Sequence, residues 1–285
     1  MKPSQPRIAL LAFLALLSSA ASGCGVINGI RAKNELNEGA RAYKAGKFAD
    51  AQAHFQKALE LDPEQKNAPV FIARSIHAQY RPGVDTPENL AKANAAIDAY
   101  KKVLEGDPNN DDAFNAVAYL FRQIKQEGQE AEWLMRRANL ESAPKEKRSD
   151  AYTVLASKEW NCAYDITEQK DNRETVQKPD TVIIQYKKPK EQADFDKASN
   201  CVTKGLELVE QAISLNANNP SAWSYKTNLL RERAKLAEME GKTEEKDRYS
   251  QEADKALAEH TRLSEEAAAR KKEEEARKSP TPPAS

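Results

Sequence analysis

The side chains best suited to chemistry near neutral pH are few in this chain: three cysteines, Cys24, Cys162 and Cys201, and three histidines, His54, His77 and His260. A thiolate is a nucleophile, a metal ligand or half of a disulfide, and a neutral imidazole is a general base or a metal ligand. Each role needs partners at a fixed spacing. The histidines are scattered, and the sequence has no CxxC pair, no HExxH, no GxSxG and no glycine-rich phosphate loop of the Walker type. Carboxylates are plentiful, but they alternate with Lys and Arg as on solvated helix faces. The sequence therefore predicts no enzyme, no metal site and no cofactor. Basic and acidic residues balance at 44 each. That leaves no positive surplus to hold a phosphate backbone, so nucleic acid is not an expected partner.

Cys24 has the most informative surroundings. Lys2 and Arg7 precede an unbroken apolar run from Ile8 to Leu17, followed by small residues from Ser18 to Gly23. This is the order of a secretory signal, and the run is too short to span a bilayer, which takes about 20 residues. Residues 1–23 are read as a signal peptide, the alternative being a buried apolar helix. Ala21-Ser22-Gly23-Cys24 resembles the lipobox of bacterial lipoproteins, with Ala21 where Leu is usual. The resemblance implies cleavage before Cys24, acylation of its thiol and attachment to a membrane. Ordinary signal cleavage, for instance after Ala20, is the competing reading. Acylating Cys24 leaves Cys162 and Cys201 as an even pair in an oxidising compartment, which favours the lipoprotein. Gly25 in place of Asp implies, by the same resemblance, the periplasmic face of the outer membrane. Residues 24–31 are read as a linker.

The elements that position the remaining residues must be helices, because Ala, Glu, Lys and Leu dominate and glycine is scarce, at 10 of 285 residues. From Asn37 to Pro63 the sequence places Gly39, Tyr43, Gly46, Phe48, Ala51, Phe55, Ala58 and Pro63 in a fixed order. One helix ends at Ala45-Gly46 and a second runs from near Asp50 to Asp62-Pro63. This order resembles the tetratricopeptide repeat. The resemblance implies an all-α, right-handed superhelix of helical hairpins whose first (A) helices line a concave binding face. A second unit has Ile72, Ala73 and Ile76 on its A helix, Ala96 and Tyr100 on its B helix, and an enlarged loop around Arg81-Pro82-Gly83 and Thr86-Pro87. A third runs from Asp111 to about Pro144, a fourth pairs Ala151–Ala156 with Gly205–Ile213, and a fifth opens at Ala222-Trp223. The repeat domain is assigned to residues 32–242.

The fourth unit is interrupted over about residues 164–193. Asp180 to Tyr186 is its β-prone run, which would form a small hairpin with residues 166–176. A functional loop and a surface excursion with no role are both open readings. Cys162 and Cys201 flank the insertion. They stand near the end of one helix and early in the next, so antiparallel packing brings them together and predicts a disulfide, against the alternative of two free thiols. Residues 243–278 read as one long helix with Tyr249, Ala253, Leu257, His260 and Ala267 on one face and a charged end. Residues 279–285, SPTPPAS, read as a disordered tail.

Carried over residue by residue, the outward A-helix positions of the tetratricopeptide family imply a partner-binding set of Tyr43, Arg74, His77, Tyr119, Arg122, Trp160, Asn228 and Arg231. For Tyr119 and Trp160, packing between helices is the alternative. The family's clamp for acidic peptide tails is not met, because Leu36 and Ala40 stand where its first Lys and Asn belong. The expected function is a non-catalytic scaffold of the cell envelope that docks a protein or peptide segment. By resemblance, lipoproteins of this architecture serve outer-membrane barrel assembly or type IV pilus biogenesis. The other expectation, from a different class, is a self-associating structural lipoprotein that uses the charged C-terminal helix.

Overall fold

The computed structural model describes residues 27–177 and 179–278. The signal peptide read over 1–23, Cys24 and the tail read over 279–285 lie outside the described residues. The described residues form antiparallel helical hairpins in two compact units, residues 27–130 and 131–278.

The first unit contains α1 (27–44), α2 (Phe48–Leu61), α3 (Ala68–His77), α4 (Pro87–Gly106), α5 (Asp111–Gln123) and the start of α6 (Glu127–Ala138). Residues 27–31, assigned above to a linker, are already helical. Ala32 is fully buried, and the isolated Gly29 costs too little to stop the helix ahead of it. The repeat motif accounts for the packing of α1 on α2. Gly39 lies where a Cβ would stand 2.6 Å from a ring carbon of Phe55, so only glycine lets the Phe55 ring lie against α1. Gly46 turns the chain at φ 74°, a left-handed conformation that other residues rarely adopt. Ala51, Phe55 and Ala58 are buried on α2, and Phe55 stacks on Phe71 of α3 with ring centroids 5.1 Å apart.

The enlarged loop between α3 and α4 is bridged by the Asn89 side chain and reached by Lys125, whose Nζ is 3.3 Å from Asp85 Oδ2. Asn89 Nδ2 donates to the carbonyls of Arg81 (2.8 Å) and Val84 (2.7 Å), and its Oδ1 accepts from Arg81 N–H (2.9 Å). Thr86 caps α4, and Asn110 caps α5 by accepting from Ala113 N–H at 3.0 Å. Consecutive helices then pack as neighbours, α2 on α3, α3 on α4 and α4 on α5.

The second unit contains the rest of α6, α7 (Lys145–Thr167), a short 3₁₀ turn (Lys170–Asn172), β1 (Arg173–Gln177), β2 (Val182–Tyr186), α8 (Gln192–Leu215), α9 (Pro220–Met239) and α10 (Thr243–Lys278). α7 packs on α8 and α9, α8 on α9, and α9 on α10. Ala163, Ile166, Phe195, Ala198, Val202 and Leu236 form one apolar cluster in this unit. Asn219 joins three helices: its Oδ1 caps α9, its Nδ2 donates to Ser149 Oγ of α7 (3.0 Å), and Ser149 Oγ donates to the Ala212 carbonyl at the end of α8 (2.8 Å). Cys162 of α7 and Cys201 of α8 are joined in a disulfide, with Cα atoms 6.1 Å apart.

The insertion is shorter than the sequence suggested. α7 continues to Thr167, because Ile166 is a buried core residue that the helical register turns inward rather than the start of a strand. The strands pair antiparallel, with Arg173 opposite Tyr186 and Gln177 opposite Val182. On α10 the buried face runs through Ala253, Ala256 and Leu263, with Tyr249 and His260 half-buried. Leu257 and Ala267, expected on this face, are exposed. The alternating 4- and 3-residue steps of 249, 253, 256, 260 and 263 are those of a helix-packing seam with a 3.5-residue period, which moves the contact from 257 to 256.

Candidate functional site

In the first unit, α3, α4 and α5 bring three of the expected binding residues into one patch. His77, on the last turn of α3, lies between two phenols. Its ring centroid is 5.8 Å from Tyr100 of α4 and 5.8 Å from Tyr119 of α5. Its Nδ1 is 3.3 Å from Tyr100 Oη, where either partner can donate. One turn earlier on α3, Arg74 Nη2 donates to Asp112 Oδ2 of α5 at 2.7 Å. Tyr119 is 39% exposed, while Tyr100 beneath it is buried. Burial pushes the Tyr100 hydroxyl up to about 12; Arg74 opposes this, and Tyr43 and Asp112 add to it. Tyr100 is therefore a neutral hydrogen-bonding group in the floor of the patch. Tyr43, on the last turn of α1, is exposed and meets the edge of Phe48 at 5.2 Å.

Arg122, also in the expected binding set, is exposed on α5 and makes an ion pair within the unit. Its guanidinium holds Glu130, a fully buried carboxylate, with Nε at 2.8 Å and Nη2 at 2.7 Å from Oε1. The Arg122 side chain is 55% exposed, and the pair leaves its Nη1 donors facing outward from the carboxylate.

Burial lowers the His77 imidazole below its ordinary 6.5. The folded protein therefore keeps it neutral, while the unfolded chain takes up a proton near 6.5. The corresponding stability is fully present above 6.5 and is lost as the pH falls from there through the folded value. Thermal melts are expected to fall between about pH 7 and about pH 5, with a shallower fall in His77→Gln. An identical slope in the variant would remove His77 from the account.

In the second unit, Trp160 of α7 is half-buried, 5.2 Å from Tyr164 and 5.9 Å from Tyr225 of α9. Asn228 is half-buried and Arg231 exposed on α9, and no ring contact or hydrogen bond joins either to Trp160 among the described residues. Sequence reasoning missed the polar centre beside this cluster. Lys235 Nζ donates to Glu168 Oε1 and Glu232 Oε1, both at 2.7 Å, and lies 5.3 Å from the Tyr164 ring and 4.8 Å from the Tyr186 ring. Thr167 donates to Glu232 Oε2 at 2.6 Å, and Tyr186 Oη donates to Glu168 Oε1 at 2.7 Å. Burial works against charge on Lys235, but the hydrogen bonds it donates to Glu168 and Glu232 outweigh it and hold the ammonium above its usual range. The only trace of this centre in the sequence is the Glu232/Lys235 spacing of three, which occurs on countless solvated helices.

A cleft of about 180 Å³ between α8, α9 and α10 is lined by Phe195, Val202, Leu236 and Tyr249, with Arg233 stacked on Tyr249 at 5.0 Å. It is smaller than the usual small-molecule site. No group of His, Cys, Asp and Glu among the described residues is arranged to hold a metal ion. What the two units offer chemically is aromatic area rimmed by hydrogen-bonding groups.

No protein-family model and no curated protein sequence matches the chain. Among solved structures, the chain is similar to the MamA protein at 16% identity and a TM-score of 0.41, over 85% of this chain and 96% of that one. It is also similar to PilF of Pseudomonas aeruginosa at 14% identity and a TM-score of 0.36, over 84% and 99%. A tetratricopeptide repeat protein of Parabacteroides merdae is similar at 11% identity and a TM-score of 0.35, over 82% and 99%.

Proposed function

We propose that this chain is a non-catalytic docking scaffold of the cell envelope that holds a protein or peptide segment on the patch formed by Arg74, His77 and Tyr119. The observation that carries the reading is the aromatic set centred on His77: its half-buried imidazole lies 5.8 Å from the buried Tyr100 phenol, edge to face, and 5.8 Å from the exposed Tyr119 phenol, across three helices. Rigid aromatic side chains give a large contact area with little rotamer entropy to lose, and they are the usual anchors of protein interfaces. The Arg74–Asp112 pair fixes α3 against α5 and leaves hydrogen-bonding capacity at the rim of the patch.

A photo-crosslinking residue at position 119, in cells, is expected to yield a discrete protein adduct that is lost on adding Arg74→Glu. The same residue at Lys57, on the exposed side of α2, should yield none. The same adduct from both positions would remove the patch as the site. The envelope address belongs to the proposal through Ile8–Leu17 and Cys24. Fatty-acid labelling of the wild type, absent in Cys24→Ser, supports it; an unlabelled wild type ends the lipoprotein part.

A further inference from the structure

We propose that the hairpin of the second unit is a self-association edge, on which β2 pairs antiparallel with β2 of a second copy of the chain. Lys187 N–H donates to the Asn172 carbonyl at 2.8 Å, which makes 172/187 a bonded pair in a register where Arg173 faces Tyr186. In an antiparallel ladder bonded and non-bonded pairs alternate. The backbone groups of residues 174, 176, 183 and 185 are therefore spent inside the hairpin. Those of Val182, Ile184 and Tyr186 point away from β1, and no backbone hydrogen bond joins them to another segment among the described residues.

Side chains separate the two edges. Natural proteins guard an open edge with charge. β1, Arg-Glu-Thr-Val-Gln, carries Arg173 and Glu174, each in an ion pair, to Glu168 and Lys187 respectively. β2, Val-Ile-Ile-Gln-Tyr, carries no charge, and Val182 and Ile184 are 58% and 50% exposed on one face of it. An isolated two-stranded hairpin is marginal in water, and further strands stabilise it. Tyr186, at the far end of β2, is fixed through Glu168 and Lys235 to the helices, so the strand is held in place rather than loose.

The occupant is a second copy because the strand is complementary to itself. A two-fold axis at Ile184 sets Ile184 against Ile184 and Val182 against Tyr186 on one face, sets Ile183 against Gln185 on the other, and brings Lys188 of each copy, whose ammonium lies over the Phe195 ring, into register with Asp180 of the other. On the face that carries the exposed Val182 and Ile184, apolar side chains meet apolar or aromatic ones, and unlike charges come into register at both ends. The contact is isologous, so it closes at a dimer.

The test uses the full chain carrying Cys24→Ser, so that neither an acyl chain nor a third thiol contributes. Sedimentation equilibrium up to about 100 micromolar is expected to show a reversible dimer that Ile184→Lys returns to monomer, with an unchanged far-ultraviolet helix signal. Directly opposed residues of a bonded pair have Cα atoms about 5.5 Å apart, within disulfide reach. Ile184→Cys should therefore oxidise to a covalent dimer, and Thr175→Cys on the guarded edge should not. A monomer throughout the range, a dimer unaffected by Ile184→Lys, or cross-linking at 175 in place of 184 each overturns the proposal. None of these results bears on the adduct formed from position 119, so failure here and failure of the docking patch are separable.

Discussion

Replacing Lys235 with methionine is expected to cost the fold about 3–5 kcal/mol, the range for leaving a buried ion without its partner. The ammonium is the partner that two carboxylates share, and Glu232 is only 2% exposed. Without Lys235, Glu232 keeps one hydrogen bond, from Thr167, and no compensating charge beside it. Methionine preserves most of the volume of the stem, so the loss reports on charge rather than on a cavity. Lys235→Met combined with Glu232→Leu should recover most of the loss, because a buried pair replaced as a whole by apolar groups is often neutral. Urea midpoints for the two single variants and the double variant provide the measurement. A purely additive double variant would mean that the ions do not act as a pair. The same centre fixes Tyr186 through Glu168. Burial raises the Glu168 carboxyl, but the hydrogen bonds from Lys235 and Tyr186 outweigh it and hold the pKa below the usual range. That stability is present above the ordinary carboxylate pKa of about 4.3 and is lost as the pH falls through the lower folded value.

Removing the Cys162–Cys201 crosslink with the double Cys→Ala variant should lower stability by about 2–4 kcal/mol. The bond spans 39 residues of sequence, and those residues include the whole hairpin insertion. Without it, the unfolded chain regains the freedom of that loop. The wild type in reductant should fall to nearly the same denaturation midpoint as the double variant. If reductant leaves the wild-type midpoint unchanged while Cys162 and Cys201 are shown to be reduced, the crosslink contributes nothing.

Much of the hairpin fold was legible because its determinants are local. The buried face of α2 can be read from spacing alone, since i, i+4 and i+7 positions on a helix lie together whatever surrounds them, whereas the contact of Gly39 with Phe55 across two helices follows from the resemblance to the repeat. The patch was half legible. Arg74, His77 and Tyr119 followed from the repeat pattern, but Tyr100, which meets the His77 ring edge to face, falls on a B helix where the pattern reads only packing. The Arg122–Glu130 ion pair was not legible, because the burial of Glu130 depends on how α6 packs, which residue type does not reveal. The Lys235 centre was not legible, since its hydrogen bond to Glu168 closes 67 residues of sequence and burial turns an ordinary charge pair into a costly one.

The charged half of α10 has a mechanical consequence. Its last buried residue is Leu263, and residues 265–278 are exposed on every side. At 1.5 Å per residue that is a cantilever about 21 Å long, clamped at its base by the seam against α9. Its stiffness comes from the backbone ladder and from pairs such as Arg262–Glu266 and Glu274–Lys278. Salt weakens such pairs and leaves the clamp intact. The overhang therefore softens from its tip inward as ionic strength rises, and the reach of whatever it carries is set by the surrounding electrolyte.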